Sequence, residues 1–187
     1  MNFTLKYLGA ACSLLVLTCT NSFLGYAIAS TPNQLNSYDT IGLKSTQFHP
    51  AFGSIFPKLK QKTKIKILLP KYIPSEDGIN PIYAILETAA QNRYSIILGY
   101  TPNCNGGTAC RLGTIYAESV TSKTPRLTGK KVSLAKGITG YFVDFSCGAN
   151  CSDATLTWRQ GNGQYTVGLK AGDRAALVKM ANSAIVP

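Results

Sequence analysis

The four residues Gln160-Gly161-Asn162-Gly163 constrain this chain more than any others. Asn-Gly supplies the positive φ angles of a tight hairpin, and such a turn forces its two flanks to pair antiparallel. Both flanks alternate. Ala154, Leu156 and Trp158 alternate with Thr155, Thr157 and Arg159. Beyond the turn, Tyr165, Val167 and Leu169 alternate with Gln164, Thr166 and Lys170. Each strand therefore has one apolar and one polar face, as in an antiparallel sheet with one wet side.

Gly172-Asp173 follows, and Asp173 suits a helix N-cap. Leu177, Met180, Ala181, Ala184 and Ile185 then fall at i, i+3, i+4, i+7 and i+8, one apolar stripe on a helix. Lys179, Asn182 and Ser183 lie largely off that stripe. A short amphipathic helix is unstable alone. The sheet face carrying Trp158 and Tyr165 is its expected partner.

Trp158, the Gly161-Asn162-Gly163 turn, Tyr165-x-Val167 and the closing run Met180-Ala181-Asn182-Ser183-Ala184-Ile185 carry a resemblance. Over roughly its last third, the chain resembles the end of an extracytoplasmic domain family of unknown function. That family occurs in bacterial exported proteins, some associated with sporulation or anti-sigma factors. The resemblance implies a sheet-plus-helix fold and supplies no catalytic residues.

Upstream, Ile82 to Thr88 and Arg93 to Tyr100 read as strands around Gln91-Asn92, and Arg111 to Val120 as a third. Thr121 to Gly129 is polar and contains a proline, hence a loop. Val132 to Ala135 and Thr139 to Ser146 complete the set. The expected fold is α+β: a curved, mainly antiparallel sheet of about seven or eight strands in mostly up-and-down order, packed by one C-terminal helix.

At the other end, Lys6 precedes an apolar run from Leu8 to Leu17, and Ala27-Ile28-Ala29 follows. A basic start, a short apolar core and an A-x-A site make a secretory signal peptide over residues 1–29, cleaved before Ser30. The apolar core of about ten residues is half of what a membrane span needs. An uncleaved anchor and a lipid attachment at Cys19 are the alternatives; Thr18 stands where the latter wants a smaller residue. Export implies a periplasmic or secreted protein. Residues 30–57 mix Pro, Asn, Ser and Gly without period and read as an extended or partly disordered lead. His49, the only histidine, falls there. Residues 58–187 then form a single α+β domain.

The net charge is +11, and losing Lys6 removes one unit of it. Lys60, Lys62, Lys64 and Lys66 alternate with Gln61, Thr63, Ile65 and Ile67. In an extended strand these four lysines would project to one face. Such a stripe either guards a sheet edge against aggregation or binds anions.

Cleavage would discard Cys12 and Cys19 and leave Cys104, Cys110, Cys147 and Cys151. An even number in an exported domain implies disulfides. Each pair brackets a loop between strands. In a strict meander three strands separate the two loops, which puts them at opposite ends of the sheet. Local pairing is then expected, because a disulfide spans only about 4.4–6.8 Å between Cα atoms. Neither interval matches paired zinc-ligand spacing or a C-x-x-C redox motif.

Catalytic patterns are weak. The lone histidine precludes a convincing nucleophile-histidine set. Ser133-Leu134-Ala135-Lys136 has S-x-x-K spacing, but that chemistry needs a helix turn and a K-T-G partner. Glu118 and Asp144 are the least implausible carboxylate pair for glycoside hydrolysis, with nothing to bring them together. Gly129-Lys130 lacks the rest of a phosphate loop, and Asn150-Cys151-Ser152 is a glycosylation sequon only on a glycosylating route. Strand tyrosines are sheet-packing residues before they are a stacking platform. No cofactor or metal motif is present, and export argues against nucleic acid as a partner. The expected function is non-enzymatic: binding an anionic envelope polymer, a membrane surface or a protein partner through Lys60, Lys62, Lys64 and Lys66. The alternative is a carrier holding a hydrophobic or acyl ligand between sheet and helix.

Overall fold

The computed structural model describes residues 47–74, 80–107, 109–148 and 150–186. The signal peptide, its cleavage site and the lead up to residue 46 lie outside the described residues. Helix α1 (Phe56–Lys62) comes first. The strands are β1 (Tyr83–Ala90), β2 (Arg93–Gly99), β3 (Arg111–Ser119), β4 (Lys130–Ser133), β5 (Thr139–Val143), β6 (Asp153–Gln160) and β7 (Gly163–Lys170), and α2 (Arg174–Ile185) closes the chain. All seven strands form one open antiparallel sheet in the order β1-β2-β3-β7-β6-β5-β4, confirming the α+β class.

The order is two meanders, not one. β3 pairs with β7, and residues 120–129 cross over to β4 at the far edge. Burial explains the choice. β7 is buried at six of its eight positions and takes the centre. β4 has four residues, two of them exposed lysines, and takes an edge, where lysine discourages further pairing.

This order corrects the expected placement of the cysteine loops. β3 and β6 both run antiparallel to β7, so they run parallel to each other. The loops that precede them therefore share one end of the sheet. The first residues of the two strands confirm it: Arg111 Nη1 donates to Asp153 Oδ2 at 3.0 Å, and Nη2 lies 2.9 Å from Oδ1. Pairing is nevertheless local, Cys104 to Cys110 and Cys147 to Cys151, with Cα separations of 5.6 and 4.0 Å. Lateral distance keeps the pairs apart, since three strand spacings amount to roughly 14 Å. Replacing Cys104 and Cys110 by serine should lower stability by about 2 kcal/mol, read as a fall in urea midpoint. Cys104 is 2% exposed, so that pair should cost more than the exposed Cys147–Cys151 pair.

The hairpin forms as expected between Gln160 and Gly163, with one change. The positive φ belongs to Gly161, at 60°, and not to the Asn-Gly step. Glycine at the first central position is the alternative solution for a two-residue turn. Gly163 is needed for another reason: a Cβ there would lie 2.5 Å from the Tyr165 hydroxyl.

Helix α2 matches its sequence pattern. Asp173 accepts from the Ala176 amide at 2.8 Å, and the five stripe residues are all buried. The polar residues of its last turns also dock it. Asn182 Oδ1 accepts from Ala135 N at 2.7 Å, and Ser183 Oγ accepts from Tyr72 N at 3.1 Å.

The N-terminal part departs most from the sequence reading. The folded region does not begin at residue 58. Phe48, Phe52 and Phe56 gather, with the Phe48 and Phe56 rings 4.6 Å apart, and Phe52 is fully buried. His49 caps the 3-10 turn Pro50–Phe52: Nδ1 accepts from Ala51 N at 3.2 Å, and burial lowers its pKa. Residues 58–62, expected as strand, are helical. Phe52, Phe56, Leu59 and Thr63 repeat at helical spacing, and Pro57 stands where a helix start tolerates proline. Residues 63–73 then run without strand pairing across the apolar face of the sheet. Tyr94 Oη accepts from Leu68 N and donates to Leu68 O, both at 3.2 Å, and Tyr165 Oη donates to Lys66 O at 3.0 Å. These hydroxyls satisfy backbone groups that a sheet ladder would otherwise satisfy.

Candidate anion-binding surfaces

The structure does not bring the four lysines onto one face. Lys60 and Lys62 lie on α1, where two residues turn the side chain by about 200°, so they point to different sides. Lys64 and Lys66 follow in the extended segment, flanking buried Ile65. All four are exposed. Among the described residues none of the four has a carboxylate partner, while Arg111 pairs with Asp153. The result is a diffuse basic surface on the helix-covered side of the molecule.

A second basic surface lies on the opposite face of the sheet, and sequence reading missed it as a site. Two rows of side chains can be followed across the strands. In one, Tyr116, Thr166, Thr157, Tyr141 and Lys131 are successive cross-strand neighbours, and Thr157 and Thr166 share a hydroxyl hydrogen bond of 2.9 Å. In the other, Arg93, Glu118, Gln164 and Arg159 are neighbours.

The second row is a connected chain. Tyr116 Oη donates to Glu118 Oε2 at 3.0 Å, and Gln164 Nε2 donates to Glu118 Oε1 at 3.2 Å. Arg159 Nε donates to Gln164 Oε1 at 3.0 Å, and Nη2 donates to Pro125 O at 2.9 Å. Burial, then the Glu118 contact, raises the Tyr116 pKa. The Pro125 contact draws the 120–129 crossover over this face. Thr121 N donating to Thr124 Oγ1 at 2.9 Å shapes the start of the crossover.

Two open grooves flank the crossover. One, of about 170 Å³, includes Arg93, Glu118 and Lys123 in its lining. The other, of about 440 Å³, is lined by Arg126, Leu127, Thr139, Tyr141 and Arg159. No carboxylate lines the larger groove. Alternation had placed Arg159 on the polar face of its strand. Nothing local marked Arg126 as its neighbour, because the crossover's path depends on the strand order.

The remaining candidates separate. Val143, which precedes Asp144, is level with Thr114 through Thr155 and Gly168. Glu118 lies four residues farther along β3 and three strands away, a distance of roughly 20 Å. The two carboxylates share no cleft, and Glu118 is engaged in the chain above. Ser133 ends β4, while Lys136 sits at φ 57° in the turn Ala135–Gly137, so the S-x-x-K residues share no helix turn. Leu177 and Met180 are fully buried and Trp158 is 1% exposed. None of the grooves described lies beneath these three residues, where a carried hydrophobe would need one.

The disulfides point to a non-cytoplasmic location, since reducing compartments keep thiols free. Among the described residues no helix is long and apolar enough to cross a membrane. Comparison with protein-family models, with curated proteins and with solved structures finds no match to this chain.

Proposed function

We propose that this chain is an exported, non-enzymatic domain that binds an anionic envelope polymer or membrane surface. Its leader would be removed before Ser30. The observation that carries this is the imbalance of charge: nineteen Lys and Arg against eight Asp and Glu, with Lys60, Lys62, Lys64 and Lys66 all exposed and without a carboxylate partner among the described residues. Cations without acidic partners create a positive potential that concentrates polyanions, whatever the partner's detailed shape. Lys60, Lys62, Lys64 and Lys66 serve this function as a distributed field and not as a stripe. The packing beneath α2 supports this reading over the carrier, and the resemblance to extracytoplasmic domains supports export.

Co-sedimentation with anionic vesicles and with cell-wall polymer tests it. Binding should weaken between low and physiological salt, because exposed charges are screened over about 8–10 Å. Changing all four lysines to glutamine should weaken binding at least about tenfold, given about 1 kcal/mol per cation near an anionic surface. Unchanged binding would reduce the lysines to a solubility role.

A further inference from the structure

The groove between the crossover and strands β5 and β6 has the chemistry of a specific site. We infer that Arg126 and Arg159, with Tyr141 and Thr139, bind a sugar unit bearing an oxyanion, either carboxylate or phosphate. This rests on the anionic-ligand reading above and locates a recognition site within it.

Arg159 is held in place before any ligand arrives. Two of its five N–H donors are committed to Gln164 Oε1 and Pro125 O, at 3.0 and 2.9 Å. Gln164 is itself 8% exposed and held by Glu118. A fixed guanidinium loses little conformational freedom on binding, and preorganisation of this kind favours affinity. Its remaining donors form a planar fork matched to carboxylate or phosphate. Arg126 makes no hydrogen bond or ion pair with another described residue and faces the same groove. Both arginines line a groove with no acid in its lining, so an oxyanion there meets two cations and no carboxylate.

The rest of the lining points to more than a bare ion. Tyr141 and Leu127 supply apolar wall, and Thr139 a hydroxyl. Lys131, the exposed cross-strand neighbour of Tyr141, adds a third cation beside the groove. The volume of about 440 Å³ exceeds what a small inorganic oxyanion fills. It lies within the range of about 300–1,000 Å³ that small ligands occupy. An aromatic ring beside hydroxyl and guanidinium donors suits a sugar, which presents C–H groups and polar edges together.

Calorimetric titration of the full chain tests this with four probes: a uronic-acid disaccharide, a phosphorylated disaccharide, the neutral disaccharide and inorganic phosphate. One acidic sugar should bind, and the arm that responds identifies the oxyanion. Arg126→Gln and Arg159→Lys should each weaken that binding about ten- to a hundredfold, the range for charge-assisted hydrogen bonds. Arg126 is exposed and carries no structural contact, so its variant keeps the test valid if Arg159→Lys disturbs the crossover. Unchanged affinity in Arg126→Gln would overturn the site, as would inorganic phosphate or the neutral sugar binding as well as the acidic sugar. If polymer binding is seen but no disaccharide binds, the groove assignment fails while the broader function stands. If neither is seen, both fail.

Discussion

Replacing Trp158 with alanine should lower stability by about 3–5 kcal/mol, a large share of a typical domain's total. Trp158 is 1% exposed and stacks on Tyr165, with ring centroids 5.7 Å apart and planes 23° apart. Its neighbour on β5 is Gly140, which has no side chain to move into a void. A Cβ at Gly140 would lie 2.8 Å from Leu134, so the nearby space is already filled. The surroundings can therefore collapse only partly, and the cost belongs at the large end. Phenylalanine at the same position should cost less. It keeps a ring and removes an indole N–H that has no partner among the described residues. Urea unfolding followed by circular dichroism separates the variants, because the alanine change removes the chain's single tryptophan fluorophore. A loss below about 1 kcal/mol for Trp158→Ala would contradict its place in the core.

Tyr94→Phe should cost about 2–4 kcal/mol, and Tyr165→Phe only about 1 kcal/mol. The Tyr94 hydroxyl serves both the amide and the carbonyl of buried Leu68, so its removal strands two backbone groups. The Tyr165 hydroxyl serves a single carbonyl, at Lys66. Equal costs would mean that the 63–73 segment is not held in this way. The same hydroxyls predict an alkaline limit. Burial pushes the Tyr165 pKa from 10.0 up to about 12, and burial raises Tyr94 as well. Below pH 10 both phenols are protonated whether the chain is folded or not. Above it the unfolded chain loses those protons first, so stability falls as pH rises. The slope approaches about 1.4 kcal/mol per pH unit for each tyrosine until its folded pKa is passed. Urea midpoints at pH 9 and 11 should show the fall, and Tyr94→Phe should make it shallower.

Features encoded over a few residues were legible in advance. The hairpin, the α2 stripe with its Asp173 cap and the outward polar faces of β6 and β7 all depend on side-chain period and turn chemistry. The lysine segment misled because its alternation is shared by two structures. Period two from Lys60 to Lys66 competes with helical spacing from Phe52 to Thr63, and only the second buries Phe52 and Leu59 and packs Phe56 against the core. The local disulfides were expected on the ground that the loops lie at opposite ends. They lie at the same end, and three intervening strand spacings do the separating.

By itself, then, the sequence determined the antiparallel elements, the C-terminal helix and the excess of positive charge, because each is set by neighbours in the chain. Tertiary structure alone decided that β7 enters between β3 and β6, since strand order follows from which strand has most apolar surface to bury. That insertion sends the 120–129 crossover over the polar face and sets Arg126 beside Arg159. Thirty-two residues of chain lie between those two arginines. No local pattern spans such a gap, and the groove exists because the chain crosses to the edge strand β4 before it returns to the centre as β7.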